Sequence, residues 1–307
     1  MTTNQNQTIG FIGLGAMGMG MARSLLRAGF TVNAYDINPA SVQTFSEAGG
    51  NSVSSVVEAA DGADVFIIVV VNAEQTEDVL FGSGGAAEKL SPGSVVIACS
   101  TVNPDFARET DHRLREMGLE MLDAPISGGP VRAAAGELSI MASGDPAIFA
   151  KVDRVLDAMA ANLFRLGDEV GYGSTTKMVN QLLAGVHIAV AAEAMALGVK
   201  AGMDPEKLYE VISNSAGSSW MFQNRVPHML AGDFTPLSAV DIFVKDLGIV
   251  LEAGKELRFP LPISAAAHQM YLMAASAGLG REDDSAVVKI FEQLTGIEVR
   301  GQGNTDR

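Results

Sequence analysis

The segment GYGSTTKMVNQ, residues 171–181, sets a lysine at the head of a stretch otherwise built for burial, LLAGVHIAVAAEAMALGVKAG. On a helix, Asn180 and Gln181 stand three and four residues from Lys177 and share its face. Ala184 continues that face with a small side chain, leaving room beside the lysine. Such a group can take a proton from a hydroxyl and give it back. A free lysine titrates near ~10.4; a base working near neutrality needs a value of roughly 7–8, which burial supplies. The bland alternative is a solvated helix lysine, the usual fate of that residue. A phosphate loop is excluded, because it needs Gly before the lysine and Ser/Thr after it, whereas Thr176 and Met178 stand there. Gly171 and Gly173 read as a hinge ahead of the helix.

Two further groups carry chemistry. In DAPISGGPVRAAAGELS (123–139), Ser127, Gly128 and Gly129 offer one hydroxyl and consecutive amides. Such a turn can cradle a carboxylate, and an ordinary Gly-Pro turn fits the same residues. Earlier, Gly13-Leu14-Gly15-Ala16-Met17-Gly18 spells G-x-G-x-x-G after an apolar run and before a helical pattern. That context makes it a dinucleotide turn, with the pyrophosphate at the helix start. Asp36 ends the next apolar run at the spacing of a ribose-binding carboxylate. It would repel a 2′-phosphate, and Ile37-Asn38-Pro39 offers no arginine, so NAD is expected rather than NADP. Val71, Asn72 and Thr101 follow later runs at their carboxyl ends, where open sheets bind ligands.

The remaining titratable groups fit catalysis less well. His112 sits among charges, His187 falls off the Lys177 face, and His228 and His268 have no acidic partner nearby in sequence. No spacing suggests a metal site.

These groups need a scaffold. Short apolar or β-branched runs at 8–13, 30–36, 64–71, 94–100, 118–124, 137–143 and 162–168 alternate, in the first half, with helical patterns. That alternation implies an α/β, doubly wound, mostly parallel sheet of Rossmann type, covered on both faces. After Gly171 the pattern is helical, with Asp204 and Pro205 opening one helix and others over about 237–258, 262–278 and 283–295. The expected organisation is therefore a NAD-binding domain over 1–170 and an all-helical substrate and oligomerisation domain over 171–307, joined by a long helix. The tail GQGNTDR reads as frayed.

Composition narrows the partners. With 21 basic and 36 acidic residues the net charge is −15, which disfavours nucleic acid and anionic membranes. The polar start MTTNQNQT reads as no signal peptide, and no uninterrupted apolar run reaches about 18 residues. One cysteine, Cys99, excludes an intrachain disulfide. A cytoplasmic protein is expected.

The three segments together resemble the β-hydroxyacid dehydrogenases, the 3-hydroxyisobutyrate dehydrogenase family. FIGLGAMGMGMARSLLRAG is similar to that family's N-terminal signature, and DAPISGG with Ala133 and Gly136 to its substrate-binding motif. Gly171-x-Gly173-x-x-x-Lys177 is similar to its catalytic motif, and Lys245-Asp246-Leu247 to its late lysine segment. The resemblance runs through essentially the whole chain. It implies hydride transfer from a small hydroxy acid to NAD+, with Lys177 as general acid/base and Ser127, Gly128 and Gly129 holding the carboxylate. Nicotinamide would lie near Thr101, and Lys245 would face the cofactor; without the resemblance, Lys245 reads as an i,i+4 partner of Asp241. Some members carry Asn four residues after the lysine, where this chain has Gln181 after Asn180, so either amide could orient substrate. SAGSSWMFQNRVPHML (215–230) resembles the branch acting on four-carbon sugar acids such as L-threonate, with Trp220, Phe222 and Asn224 at the substrate end. Trp and Phe two apart also suit plain helix packing. A 3-hydroxyisobutyrate dehydrogenase, a tartronate semialdehyde reductase, another semialdehyde or imine reductase, or a NAD(H)-binding sensor or assembly protein are the other readings. A homodimer or homotetramer through the helical domain is expected, since its apolar patterns exceed what one small domain covers.

Overall fold

The structure, a computed structural model, describes residues 7–301. The polar start and the tail GQGNTDR, apart from residues 7, 8 and 301, lie outside the described residues. The chain forms two compact units, 1–177 and 178–307.

In the first unit each crossover is a strand, a helix and a return. β1 (Thr8–Ile12), α1 (Gly18–Arg27), β2 (Thr31–Tyr35), α2 (Pro39–Glu47), β3 (Asn51–Ser52), α3 (Val56–Ala60), β4 (Val65–Ile68), α4 (Ala73–Phe81), β5 (Val95–Ala98), α5 (Pro104–Glu116) and β6 (Glu120–Asp123) follow in order. The sheet runs β3-β2-β1-β4-β5-β6, parallel at every pairing. β4 (VFII) and β5 (VVIA) are buried at every position, as strands covered on both faces must be. Helix starts are fixed locally: Asn38, Ser55, Asn72 and Asn103 each accept a first-turn amide with the side chain.

The sequence pattern suggested one sheet for all the strands; the structure has two. After β6 come β7 (Ile126–Ser127), α6 (Gly129–Ala135), β8 (Leu138–Ala142), α7 (Pro146–Asp157) and β9 (Ala160–Arg165). β7 pairs antiparallel with β8, and β8 parallel with β9, in a separate three-stranded sheet. Only Ala124-Pro125 separates β6 from β7, and a parallel return needs a dozen residues or more. The chain could there only turn back antiparallel or leave the first sheet, and it leaves. A bridge between Asp123 and Ser143 ties the end of β6 to the residue after β8.

α8 (Tyr172–Lys200) is 29 residues long and begins in the first unit. It is the one described helix long and apolar enough to cross a membrane, although no uninterrupted apolar run in it reaches about 18 residues. Ile188, Ala192 and Met195 on it are buried in the core of the second unit.

The second unit adds α9 (Pro205–Ser213), α10 (Trp220–Ala231), α11 (Val240–Glu256), α12 (Pro262–Ala274), a 3-10 turn (Asp284–Val287) and α13 (Val288–Thr295). Asp204 caps α9 through the Lys207 amide, as expected. The helix expected over 262–278 instead closes with a π turn, where Gly278 takes a left-handed φ of 87°. α8 and α11 approach closely at Gly185, where a Cβ would lie 2.8 Å from the Phe243 ring; Tyr271 Oη also donates to Gly185 O at 2.9 Å.

This unit holds a buried ion pair. Arg225 on α10 donates through Nε and Nη2 to Asp284, which is fully buried. Burial pushes the Asp284 carboxyl up to about 6, against the pull of Arg225. An unfolded Asp titrates near ~3.9. A raised folded value means stability present below the unfolded value and lost as pH rises through the folded one. Asp284→Asn should lose part of the fall in melting temperature between about pH 4 and 6, because the carboxyl that ionises over that range is gone while Asp283 still lies 3.9 Å from Arg225. An unchanged pH slope in calorimetric scans would contradict this.

Candidate active site

The parallel register brings the ligand-facing turns to one edge. Ile12 pairs with Tyr35 and Ile68, Ile68 with Ala98, and Ala98 with Asp123, so β1, β2, β4, β5 and β6 end flush. The 13–18 turn, Asp36, Val71-Asn72 and Thr101 therefore follow neighbouring strand ends, as expected from sequence.

The three glycines of the first turn have different physical causes. A Cβ on Gly13 would lie 2.2 Å from Val69 O, and one on Gly18 would lie 1.8 Å from Gly13 O. Both are required by the protein's own packing, and Gly13 also has φ 97°. A Cβ on exposed Gly15 would meet nothing within 4 Å. Open space above an exposed backbone is what a pyrophosphate approach requires. α1 also begins without a side-chain cap at Met17, and although the Met19 amide already bonds Gly15 O, the helix start can still present its other first-turn amides to an anion. The residues present therefore fit NAD.

Asp36 braces this turn. Its Oδ2 accepts from Leu14 N at 2.6 Å and its Oδ1 from Asn38 N at 2.7 Å. Each carboxylate oxygen retains a second lone pair for a ribose hydroxyl. Asn72 has a structural task as the cap of α4, while the Val71 amide donates to Gln75. Thr101 is partly buried just beyond β5.

The second turn has a matching void. Gly128 and Gly129 have φ of 140° and 76°, values that favour glycine, and a Cβ on Gly129 would meet nothing within 4 Å. Ser127 ends β7 beside them and is partly buried.

Asp123, whose part sequence reasoning left unassigned, links that turn to the lysine. It is buried at the end of β6, four positions before Ser127. Its carboxylate accepts from Gly171 N at 3.0 Å, Ser174 N at 2.7 Å and Ser174 Oγ at 2.7 Å. It thus caps the first turn of α8, three residues before Lys177. Burial raises the Asp123 carboxyl, and the Ser174 and Gly171 donors oppose that rise. The hinge reading of Gly171 and Gly173 does not survive. Gly173 is clamped: its amide donates to Ser143 Oγ at 3.0 Å, and a Cβ would lie 2.5 Å from both Asp123 O and Met141 O. Lys177 itself is 8% exposed. A cap reaching in from a distant strand leaves no spacing signal in the sequence.

In the second unit, Lys245 pairs with Asp246 at 2.7 Å rather than with Asp241. Asp241 occupies the first turn of α11, where its amide bonds Gly280 O. Gln181 Nε2 donates to the buried Asp246 carboxylate, and Asn180 Nδ2 donates to Gln181 Oε1 at 3.0 Å. Trp220 is 65% exposed, whereas Phe222 is buried and stacked on Tyr209 at 5.9 Å. Asn224 Oδ1 accepts from Arg225. His268 bonds Val244 O and His112 lies beside Glu116 on the surface, so neither takes a catalytic partner in this unit or that one.

A family model described as the NAD binding domain of 6-phosphogluconate dehydrogenase matches residues 8–167. A second, described as NAD-binding of NADP-dependent 3-hydroxyisobutyrate dehydrogenase, matches residues 171–291. The chain belongs to the 3-hydroxyisobutyrate dehydrogenase family. It is 58% identical to an L-threonate dehydrogenase of Cupriavidus necator over 97% of this chain and 99% of that one. It is 49% identical to an L-threonate dehydrogenase of Escherichia coli K12 over 96% of this chain and 98% of that one. The crystal structure of a 3-hydroxyisobutyrate dehydrogenase from Salmonella typhimurium superposes with a TM-score of 0.88 at 50% identity, covering 93% of this chain and all of that one. This family member is a NAD-dependent hydroxy-acid dehydrogenase.

The contrast among the glycines is testable. Gly15→Ala should melt within ~0.5 kcal/mol of the parent, as substitutions into open surface do, yet bind NADH at least tenfold more weakly by fluorescence titration. Gly18→Ala should lose both fold stability and binding. Full NADH affinity in Gly15→Ala would remove the pyrophosphate from that turn. Asp36→Ala should lower the NAD+/NADP+ ratio of kcat/KM by about tenfold or more; an unchanged ratio would remove Asp36 from cofactor choice.

Proposed function

We propose that this dehydrogenase oxidises L-threonate, or a closely related four-carbon sugar acid, to the 2-oxo acid with NAD+, using Lys177 as general acid/base. The observation that carries the mechanism is the Asp123 clamp. One carboxylate ties the segment leading to Ser127, Gly128 and Gly129 to the helix turn leading to Lys177. The substrate rests on the full-length relatives named above.

In this reading the substrate carboxylate lies on the Ser127 hydroxyl and the amides of Gly128 and Gly129; the open space beside Gly129 supports it. The cofactor, when bound, supplies the hydride acceptor. Lys177 Nζ takes the hydroxyl proton as the C2–H bond breaks and returns it to the carbonyl oxygen in the reverse direction. A base must be neutral to take a proton, and this lysine is 8% exposed. Val71, Asn72 and Thr101 border the nicotinamide half of the cofactor, and Lys245 faces it. Asn180 and Gln181 supply the amide that orients the substrate hydroxyl. Trp220 shapes the far end, while Phe222 is buried against Tyr209 and Asn224 is held by Arg225.

The same reading gives residues 1–170 to the cofactor and 171–307 to substrate and subunit contacts, in a cytoplasmic homodimer or homotetramer. Val179, Leu183, Val190 and Leu197 on α8 support a second copy of the chain as partner, since all four are about half exposed or more and recur at helical spacing.

A panel of hydroxy acids, semialdehydes and imines with NAD(H) and NADP(H), followed at the absorbance of reduced nicotinamide, tests the substrate. L-threonate with NAD+ should give the highest kcat/KM. A clear preference for 3-hydroxyisobutyrate or tartronate semialdehyde would replace it, and tight NADH binding without turnover would point to a sensor. Lys177→Ala should lower kcat by about 10²–10⁴ and leave NADH affinity within about twofold; surviving turnover would remove Lys177 from the chemistry.

A further inference from the structure

Within the second unit one buried acid organises the amide pair of α8. Asp246 is 2% exposed. Its Oδ2 accepts from Gln181 Nε2, and Lys245 Nζ lies 2.7 Å from its Oδ1. Gln181 Oε1 in turn accepts from Asn180 Nδ2 at 3.0 Å. The close approach of α8 and α11 at Gly185 makes the first bond possible, because it lies one turn beyond Gln181. Any side chain at 185 would separate the two helices.

Carboxylate chemistry fixes the polarity of this chain of bonds. An ionised carboxylate can only accept, so Gln181 must offer Asp246 its NH2 group. Its oxygen is then turned toward Asn180, whose NH2 must answer it. Neither amide can flip without losing a bond. Both ends of the Gln181 amide are engaged, and Asn180 keeps its Oδ1 and one N–H for a ligand.

We infer that Asp246 is a positioning residue: through Gln181 it fixes which way the Asn180 amide faces, and so makes Asn180 the amide that meets the substrate hydroxyl. The inference rests on the dehydrogenase reading above but not on which acid is the substrate. It also accounts for a buried acid that a solvated ion pair with Lys245 alone would not require. Such a pair gains little on a surface, and Asp246 Oδ1, although 2.7 Å from Lys245 Nζ, makes no hydrogen bond, so the bond from Gln181 to Oδ2 is what satisfies this buried acid.

A double-mutant cycle tests it, using the full chain and whichever hydroxy acid the parent oxidises fastest. Asp246→Asn keeps the shape but lets Gln181 take either orientation. It should lower kcat/KM for the acid by 10- to 100-fold, the range usual for outer partners of a site. The NADH dissociation constant should stay within about twofold, and the melting temperature should confirm folding. Gln181→Ala should cause a similar loss. In the Gln181→Ala background, Asp246→Asn should add less than about threefold, because the residue it acts through is gone. Multiplying losses would overturn the inference, as would full activity in Asp246→Asn. If Asp246→Asn instead weakens NADH tenfold with kcat/KM for the acid otherwise intact, the acid acts through Lys245 and the inference fails. Failure of the dehydrogenase reading would show separately, as no turnover of any acid by the parent.

Discussion

The Asp123 carboxylate is the constraint on which the rest of the first unit turns. It stands where the parallel sheet ends and the chain departs for a second, smaller sheet. Three hydrogen bonds from Gly171 and Ser174 draw the head of α8 onto it. Bonds to a charged acceptor contribute roughly 1.5–3 kcal/mol each, set against the cost of burying the acid. The result is positional: the residues leading into the glycine turn at 127–129 and those leading into Lys177 are held by the same side chain. Gly173 shows how tight the fit is, since even a methyl group there would strike two carbonyl oxygens.

Around that clamp, site and scaffold divide the glycines between them. Gly13, Gly18 and Gly173 are small because the protein is too close to itself. Gly15 and Gly129 are small although the protein leaves space beside them. Gly129 is held to glycine by its φ of 76°, whereas for Gly15 the structure gives no packing reason. Asp36 serves both sides, bracing the first turn through Leu14 while keeping acceptor capacity for a ribose.

Much of this was legible in the sequence. The G-x-G-x-x-G turn, Asp36 and the uninterrupted run at β4 follow from local rules of spacing and periodicity, and the structure has them. The all-helical second half and the Asp204 cap were legible for the same reason. What the sequence concealed depends on distance. That β7, β8 and β9 form a sheet of their own depends on which strand pairs with which, and composition does not flag that. Asp123 and Asp246 look like any acids until strand ends and helix crossings bring donors to them. Lys245 has acids at positions 241 and 246, and only burial decides between them. The glycines before Lys177 suggest freedom in the sequence and turn out to serve close packing.

In the proposed reaction Asp123 sets Lys177 in place by capping the first turn of its helix. The most direct measurement is the turnover number of Asp123→Asn on L-threonate, read beside hydrogen exchange of the Ser174 amide. Loss of protection at Ser174 with at least a tenfold fall in kcat, and NADH still bound, is the predicted result. Parental turnover with that amide unprotected would contradict it.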